Sequence, residues 1–243
     1  LEGYGLTETM GPCSVNLPQA TRIGTVGTPL PGCALRLDDD GEILVRGIGT
    51  FTGYHNNPEA TAEAFTADGW LRTGDIGSFE SAEGFLRITG RKKELIVTAG
   101  GKNVAPAPLE DRLRGHPLVS QVLVVGENRP CIGALLTLDA EMLPLWLSSH
   151  GLEEMTVVDA AQDPRVRAAL ERAVARTNEA VSRAESIRTF EVLPTDFTVA
   201  NGLLTPSLKV RRAEAEKRFA AEIDALYTRT PLVPSTTASP SQD

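Results

Sequence analysis

The chain has 243 residues, 41% of them apolar, with 32 acidic against 24 basic side chains and a formal net charge of -8. That size suffices for one large or two moderate domains with an ordinary core, and the acidic balance argues against nucleic acid as a partner, because backbone binding needs a basic face. No apolar run approaches the length of a membrane-spanning helix and no charged-apolar-small leader opens the chain; Cys13, Cys33 and Cys131 form no metal or disulfide pattern, which suits a reducing, cytoplasmic setting.

The opening residues pack an aromatic, a hydroxyl and a carboxylate between glycines. Residues 34–47 predict a hairpin, with Leu35 and Leu37 answered by Ile43 and Val45 around Asp38-Asp39-Asp40-Gly41. Asn57-Pro58-Glu59 then supplies an N-cap, a first-turn proline and a first-turn acid for a helix running to residue 64 or 65. Strands are predicted over 70–76 and 85–89, closing a β-rich subdomain near Gly90.

Past Arg91-Lys92-Lys93 strands and helices alternate, which marks a second domain. The pattern predicts a strand at 94–98, a helix at 106–113, and an apolar strand at 119–125 with its partner at 132–138. A helix at 163–181, a strand at 187–193 and a helix at 213–227 with Phe219, Ile223 and Leu226 on one face complete it. Residues 231–243, rich in Pro, Ser and Thr with little to bury, read as disordered. The fold class is α+β, divided into residues 1–92, 93–230 and the tail.

Several short runs carry candidate chemistry. In Gly3-Tyr4-Gly5-Leu6-Thr7-Glu8, the glycines permit close approach of backbone to a ligand. Tyr4 offers a flat face for a purine, Thr7 a hydroxyl for a phosphate oxygen, and Glu8 a hard oxygen for magnesium (Mg2+). In Trp70-Leu71-Arg72-Thr73-Gly74-Asp75 the acid ends a strand beside a glycine, where one carboxylate can accept bonds from two vicinal hydroxyls; on these residues alone a turn aspartate is the favoured reading. Gly90-Arg91-Lys92-Lys93 followed by Gly100-Gly101-Lys102 reads as an exposed basic turn and a glycine hairpin. Leu208-Lys209-Val210-Arg211-Arg212 puts an ammonium ahead of a helix, and as a lone motif this is an ordinary surface lysine. His55, His116 and His150 have no nucleophile or ligand partner at useful spacing and are left as surface or loop residues.

In this order the motifs resemble those of the adenylate-forming superfamily, the acyl-CoA synthetases and their relatives. The resemblance implies that residues 1–92 are a β-rich remnant of a large N-terminal, AMP-binding domain, and that a small mobile α+β C-terminal domain follows. It implies a nucleotide site of Tyr4, Gly5, Thr7, Asp75 and Arg91, the last two at the ribose, with Glu8 on Mg2+ and Thr7 and Glu8 counted with the catalytic residues. Lys93 stands at the hinge, Gly100, Gly101 and Lys102 on a face for coenzyme A, and Lys209 as the catalytic lysine that bridges the substrate carboxylate and the α-phosphate. The segment Gly41–Gly47 with Gly53-Tyr54 resembles a family scaffold, so Tyr54 is read as a packed aromatic.

The family's phosphate loop, a Ser/Thr/Gly-rich run ending in Pro-Lys-Gly, occurs nowhere in these residues. The chain therefore resembles the last two-fifths of a longer enzyme, inactive without its N-terminal segment. Leu208, the run Thr98–Pro106 and the long helical insertion between hinge and lysine resemble bacterial long-chain fatty acid–CoA ligases, implying ATP, Mg2+, coenzyme A and a fatty acid. Peripheral membrane contact stays open. The alternatives are a fatty acyl-AMP ligase delivering to a carrier protein and a nonenzymatic nucleotide-binding remnant.

Overall fold

A computed structural model describes residues 1–80 and 83–228, which form two compact units dividing between Leu95 and Ile96. The predicted disordered tail lies outside the described residues.

The first unit is built on two sheets. Strands β1 (Gly3–Leu6), β2 (Gly11–Val15) and β3 (Thr28–Pro29) form one. Strands β4 (Cys33–Leu37), β5 (Glu42–Gly47), β6 (Leu71–Glu80) and β7 (Phe85–Arg91) form the other, in sequence order and antiparallel. The expected hairpin pairs Leu35 with Val45 and Leu37 with Ile43, and Ile43, Val45 and Leu86 meet Tyr4 and Cys13 in the core. Helix α1 (Pro58–Ala64) starts where the Asn57 side chain accepts the Ala60 N–H at 3.0 Å. No sequence pattern marks the sheet β1–β2–β3, because Gly11-Pro12 interrupts the strand alternation.

The expected strand at 94–98, which straddles the division between the units, is mostly absent. Lys92–Glu94 is a 3₁₀ turn, and only β8 (Ile96–Val97) pairs, with β9 (Asn103–Val104). Helix α2 (Pro106–Arg114) leads into β10 (Val119–Val125), which pairs antiparallel with β11 (Ile132–Leu138). Helices α3 (Met142–Ser149), α4 (Val157–Gln162) and α5 (Pro164–Asn178) carry the chain over to β12 (Ile187–Leu193), parallel to β11.

Both faces of this sheet are covered, and β10 shows how. Val122 and Val124 face the cluster with Leu109 and Leu113 of α2 and Leu170 and Val174 of α5, while Leu123 and Val125 face Phe197, Leu204 and Phe219. The predicted closing helix is broken into α6 (Arg212–Arg218) and α7 (Ala220–Leu226) at Phe219, which leaves helical angles (φ -106°, ψ 27°) to stack on Phe197 at 5.6 Å. Among the described residues no helix is long and apolar enough to cross a membrane.

Candidate functional site

In the first unit the pairing of β6 with β7 sets Asp75 opposite Arg91. The Asp75 N–H donates to Thr73 Oγ1 at 3.1 Å, and Thr73 donates to the Ile43 carbonyl at 2.7 Å, so β5 fixes the height of the carboxylate. Tyr4 Oη donates to Asp75 Oδ2 at 2.6 Å and Arg91 Nε to Oδ1 at 2.8 Å. Asp75 is 5% exposed, whereas the Arg91 side chain is 57% exposed, which leaves guanidinium N–H groups for a ligand. Burial, and then the bond to Asp75, push the Tyr4 hydroxyl far above the ordinary tyrosine range. The sequence offers Tyr4 as a flat face for a purine; the structure buries it in the core and directs its hydroxyl to Asp75.

Gly5 also has a use within the chain. A Cβ there would fall 2.1 Å from the Gly11 carbonyl oxygen, so its bareness lets β1 close on β2. An open cleft of about 470 Å³ runs along this strand, lined by Gly3, Tyr4, Gly5, Gly11 and Pro12.

Thr7 and Glu8 stand in the 3₁₀ turn Thr7–Thr9 after β1. Thr7 is exposed, and Glu8 Oε1 accepts the Tyr54 hydroxyl at 2.8 Å. Tyr54 packs edge-on to Phe51 at 4.8 Å, as a packed aromatic does, but is 43% exposed. The Glu8 carboxylate raises its hydroxyl above the ordinary tyrosine value. This partnership spans 46 positions, and nothing in the local sequence announces it. Glu8 makes no ion pair among the described residues, so Oε2 is left for a hard cation.

Behind Asp75 lies a charge cluster that sequence reading missed. Glu42, 2% exposed, accepts the Gly74 N–H at 3.0 Å, Lys92 Nζ at 2.8 Å and Arg72 Nη1 at 3.2 Å. Lys92 also pairs with Asp40 at 2.5 Å, which holds the Asp40 carboxyl below the usual range and raises the Lys92 ammonium. The acids Asp38, Asp40 and Glu42 are thus answered by two cations of the chain, and the cluster clamps Gly74 and Lys92 on either side of the Asp75–Arg91 pair. Lys93 is exposed, two positions before the division between the units.

In the second unit Gly100 and Gly101 form the tip between β8 and β9, Gly101 at φ +76° with open space where a Cβ would stand. Thr98 closes this turn, its hydroxyl accepting the Lys102 N–H at 3.2 Å, while Lys102 Nζ lies 3.4 Å from Glu185. Lys209 lies on a tight loop joined by the Leu204–Val210 bridge. The Thr205 N–H donates to the Lys209 carbonyl at 2.8 Å, and the Lys209 N–H donates to Thr205 Oγ1 at 3.1 Å. Leu208, before the lysine, holds φ +61°, a left-handed conformation costly for a branched side chain. Lys209 itself is exposed and forms no ion pair among the described residues. Just beyond it, Arg212 reaches back to Glu110 and to the Val124 carbonyl, tethering the loop to α2 and β10.

Models of two domains match this chain: the AMP-binding enzyme over residues 1–55 and the AMP-binding enzyme C-terminal domain over residues 93–231. The chain belongs to the AMP-binding enzyme family. It is 53% identical over 229 residues to the long-chain-fatty-acid–CoA ligase FadD15 of Mycobacterium tuberculosis, covering 94% of this chain and 38% of that relative. Among solved structures it resembles the adenylation domain of a carboxylate reductase from Mycobacterium chelonae, with a TM-score of 0.68 and 25% identity over 93% of this chain and 34% of that one. It also resembles the O-succinylbenzoate coenzyme A synthetase of Bacillus subtilis, solved with ATP and a magnesium ion, with a TM-score of 0.63 and 26% identity over 88% of this chain and 40% of that one. The chain thus spans about two-fifths of the length of the curated relatives it matches.

Proposed function

We propose that this chain supplies the ribose-binding, metal-binding and lysine-bearing parts of a cytoplasmic, ATP-dependent long-chain fatty acid–CoA ligase. The identity to FadD15 along nearly the whole chain is the observation that carries this reading. In it, residues 1–92 belong to the AMP-binding domain, and residues 93–230 form a mobile domain that turns about Lys93. The phosphate loop, which these residues lack, comes from an upstream segment.

Asp75 accepts the two ribose hydroxyls, and the exposed guanidinium of Arg91 adds donors beside it. Glu8 holds Mg2+, whose chemistry is to neutralise phosphate charge, and Tyr54 keeps that carboxylate in place. Lys209 inserts during adenylation, where its charge bridges the fatty acid carboxylate and the α-phosphate as pyrophosphate departs. After rotation Lys209 is withdrawn and the Gly100-Gly101 tip, with Lys102 nearby, faces coenzyme A; the thiol attacks the acyl carbonyl and AMP leaves. That Lys209 forms no ion pair among the described residues supports this role, since a lysine fixed to a carboxylate would have to break that contact on each insertion.

The test joins the chain to a relative's upstream segment and follows palmitate-dependent exchange of labelled pyrophosphate into ATP. The joined protein exchanges and the chain alone is silent. Silence of both proteins, each with nucleotide bound, supports a nonenzymatic remnant. Acyl transfer to a carrier protein but not to coenzyme A supports a fatty acyl-AMP ligase.

A further inference from the structure

The second unit contains a cleft that the proposed chemistry does not use. It lies between the C-terminal turn of α2 and the last turns of α5, with a volume of about 290 Å³, and is lined by Arg112, His116, Pro117, Ala173, Arg176 and Thr177. We infer that this cleft binds the phosphate group of a small molecule.

Unanswered positive charge is the first reason. Arg112 and Arg176, which line the cleft, form no ion pair among the described residues, although Arg114 on α2 pairs with Asp111 and Arg167 on α5 with Glu171. The two arginines that line the cleft lack carboxylate partners, whereas Arg114, Arg165 and Arg167 on the same helices have them. Last-turn placement offsets the helix dipoles and accounts for Arg112 and Arg176 taken singly. It does not account for the two guanidinium groups lining one cleft together with the half-buried imidazole of His116.

That imidazole is the second reason. His116 Nδ1 accepts the Leu118 N–H at 3.2 Å, so the neutral ring carries its proton on Nε2, a fixed donor in the cleft wall. Burial, and after it the nearby positive charge of Arg176 and Arg172, hold His116 below its ordinary value, which keeps the ring in the neutral form that carries this donor. Guanidinium groups match phosphate oxygens two at a time, and a volume near the lower end for small-molecule sites admits a phosphate with little attached to it.

The test uses the full chain, ¹⁵N-labelled, titrated at constant ionic strength with inorganic phosphate and in a second arm with glycerol 3-phosphate. Saturable shifts are expected at the amides of Gly115, His116, Leu118 and Thr177. R112Q/R176Q weakens binding at least tenfold, while R165Q, which removes an α5 arginine paired elsewhere, leaves it unchanged. Tighter binding of the ester assigns the site to a phosphorylated metabolite, and equal binding to free phosphate. If the double variant loses its dispersed spectrum, R112Q and R176Q singly each weaken binding several-fold. Shifts that do not saturate, or that persist unchanged in folded variants, overturn the inference.

Discussion

Asp75 and Lys209, the two charges on which the proposed chemistry turns, are held in opposite ways. The carboxylate is buried, and each of its oxygens has a donor from the chain, Tyr4 on one and Arg91 on the other. The ammonium is exposed and forms no ion pair among the described residues, on a loop where the residue before it holds a left-handed conformation. A group that receives a ligand gains from being fixed before the ligand arrives. A group that must enter and leave a site gains from having no partner to abandon. What is rigid about Lys209 lies beneath it, in the Thr205 bonds and the Arg212 tether.

The largest effect is expected where that tether is cut. Arg212→Leu leaves Glu110, 8% exposed, as a buried carboxylate without its cation, and unfolding in urea should show a loss of about 3–5 kcal/mol. A loss below about 1 kcal/mol would mean that the loop does not depend on this anchor. Asp75→Ala strips the buried Tyr4 hydroxyl of its acceptor and should cost about 1–3 kcal/mol, with AMP binding to the chain abolished in calorimetry. Retained AMP binding would move the ribose contact elsewhere.

Tyr54→Phe removes one hydrogen bond to Glu8 at an exposed site. The Mg2+ concentration needed for half-maximal exchange in the joined protein should rise about two- to fivefold, with no change in stability. An unchanged requirement would confine Tyr54 to its contact with Phe51. The smallest effect is Leu208→Gly: relief of left-handed strain, about 1–2 kcal/mol, is partly offset by glycine's entropy, about 0.5–1 kcal/mol, for a net gain near 0.5 kcal/mol. Destabilisation instead would show that the loop is not strained.

The sequence made one class of feature legible and hid another. The hairpin around Asp38–Gly41, helix α1 with its Asn57 cap, and strands β10, β11 and β12 follow from period-two patterns and local capping, which neighbouring residues settle among themselves. The break at Phe219 was hidden because no Gly or Pro marks it; it comes from packing on Phe197, distant in the chain. Tyr54 on Glu8 and Tyr4 on Asp75 join residues 46 and 71 positions apart, so motif order could name the candidates but not their partners. The clamp of Glu42 by Arg72 and Lys92 was hidden likewise, since Glu42 reads locally as a hairpin strand residue.

If the exposed charge at Lys209 serves adenylation and not thioester formation, removing it should separate the two half-reactions. The direct measurement is Lys209→Ala in the joined protein, comparing palmitate-dependent pyrophosphate exchange with the conversion of supplied palmitoyl-AMP to palmitoyl-CoA. Exchange should fall by about 10²–10³-fold, the scale for losing one charge-stabilising group, while the conversion stays within about twofold. Undiminished exchange, or an equal fall in both steps, would contradict the account.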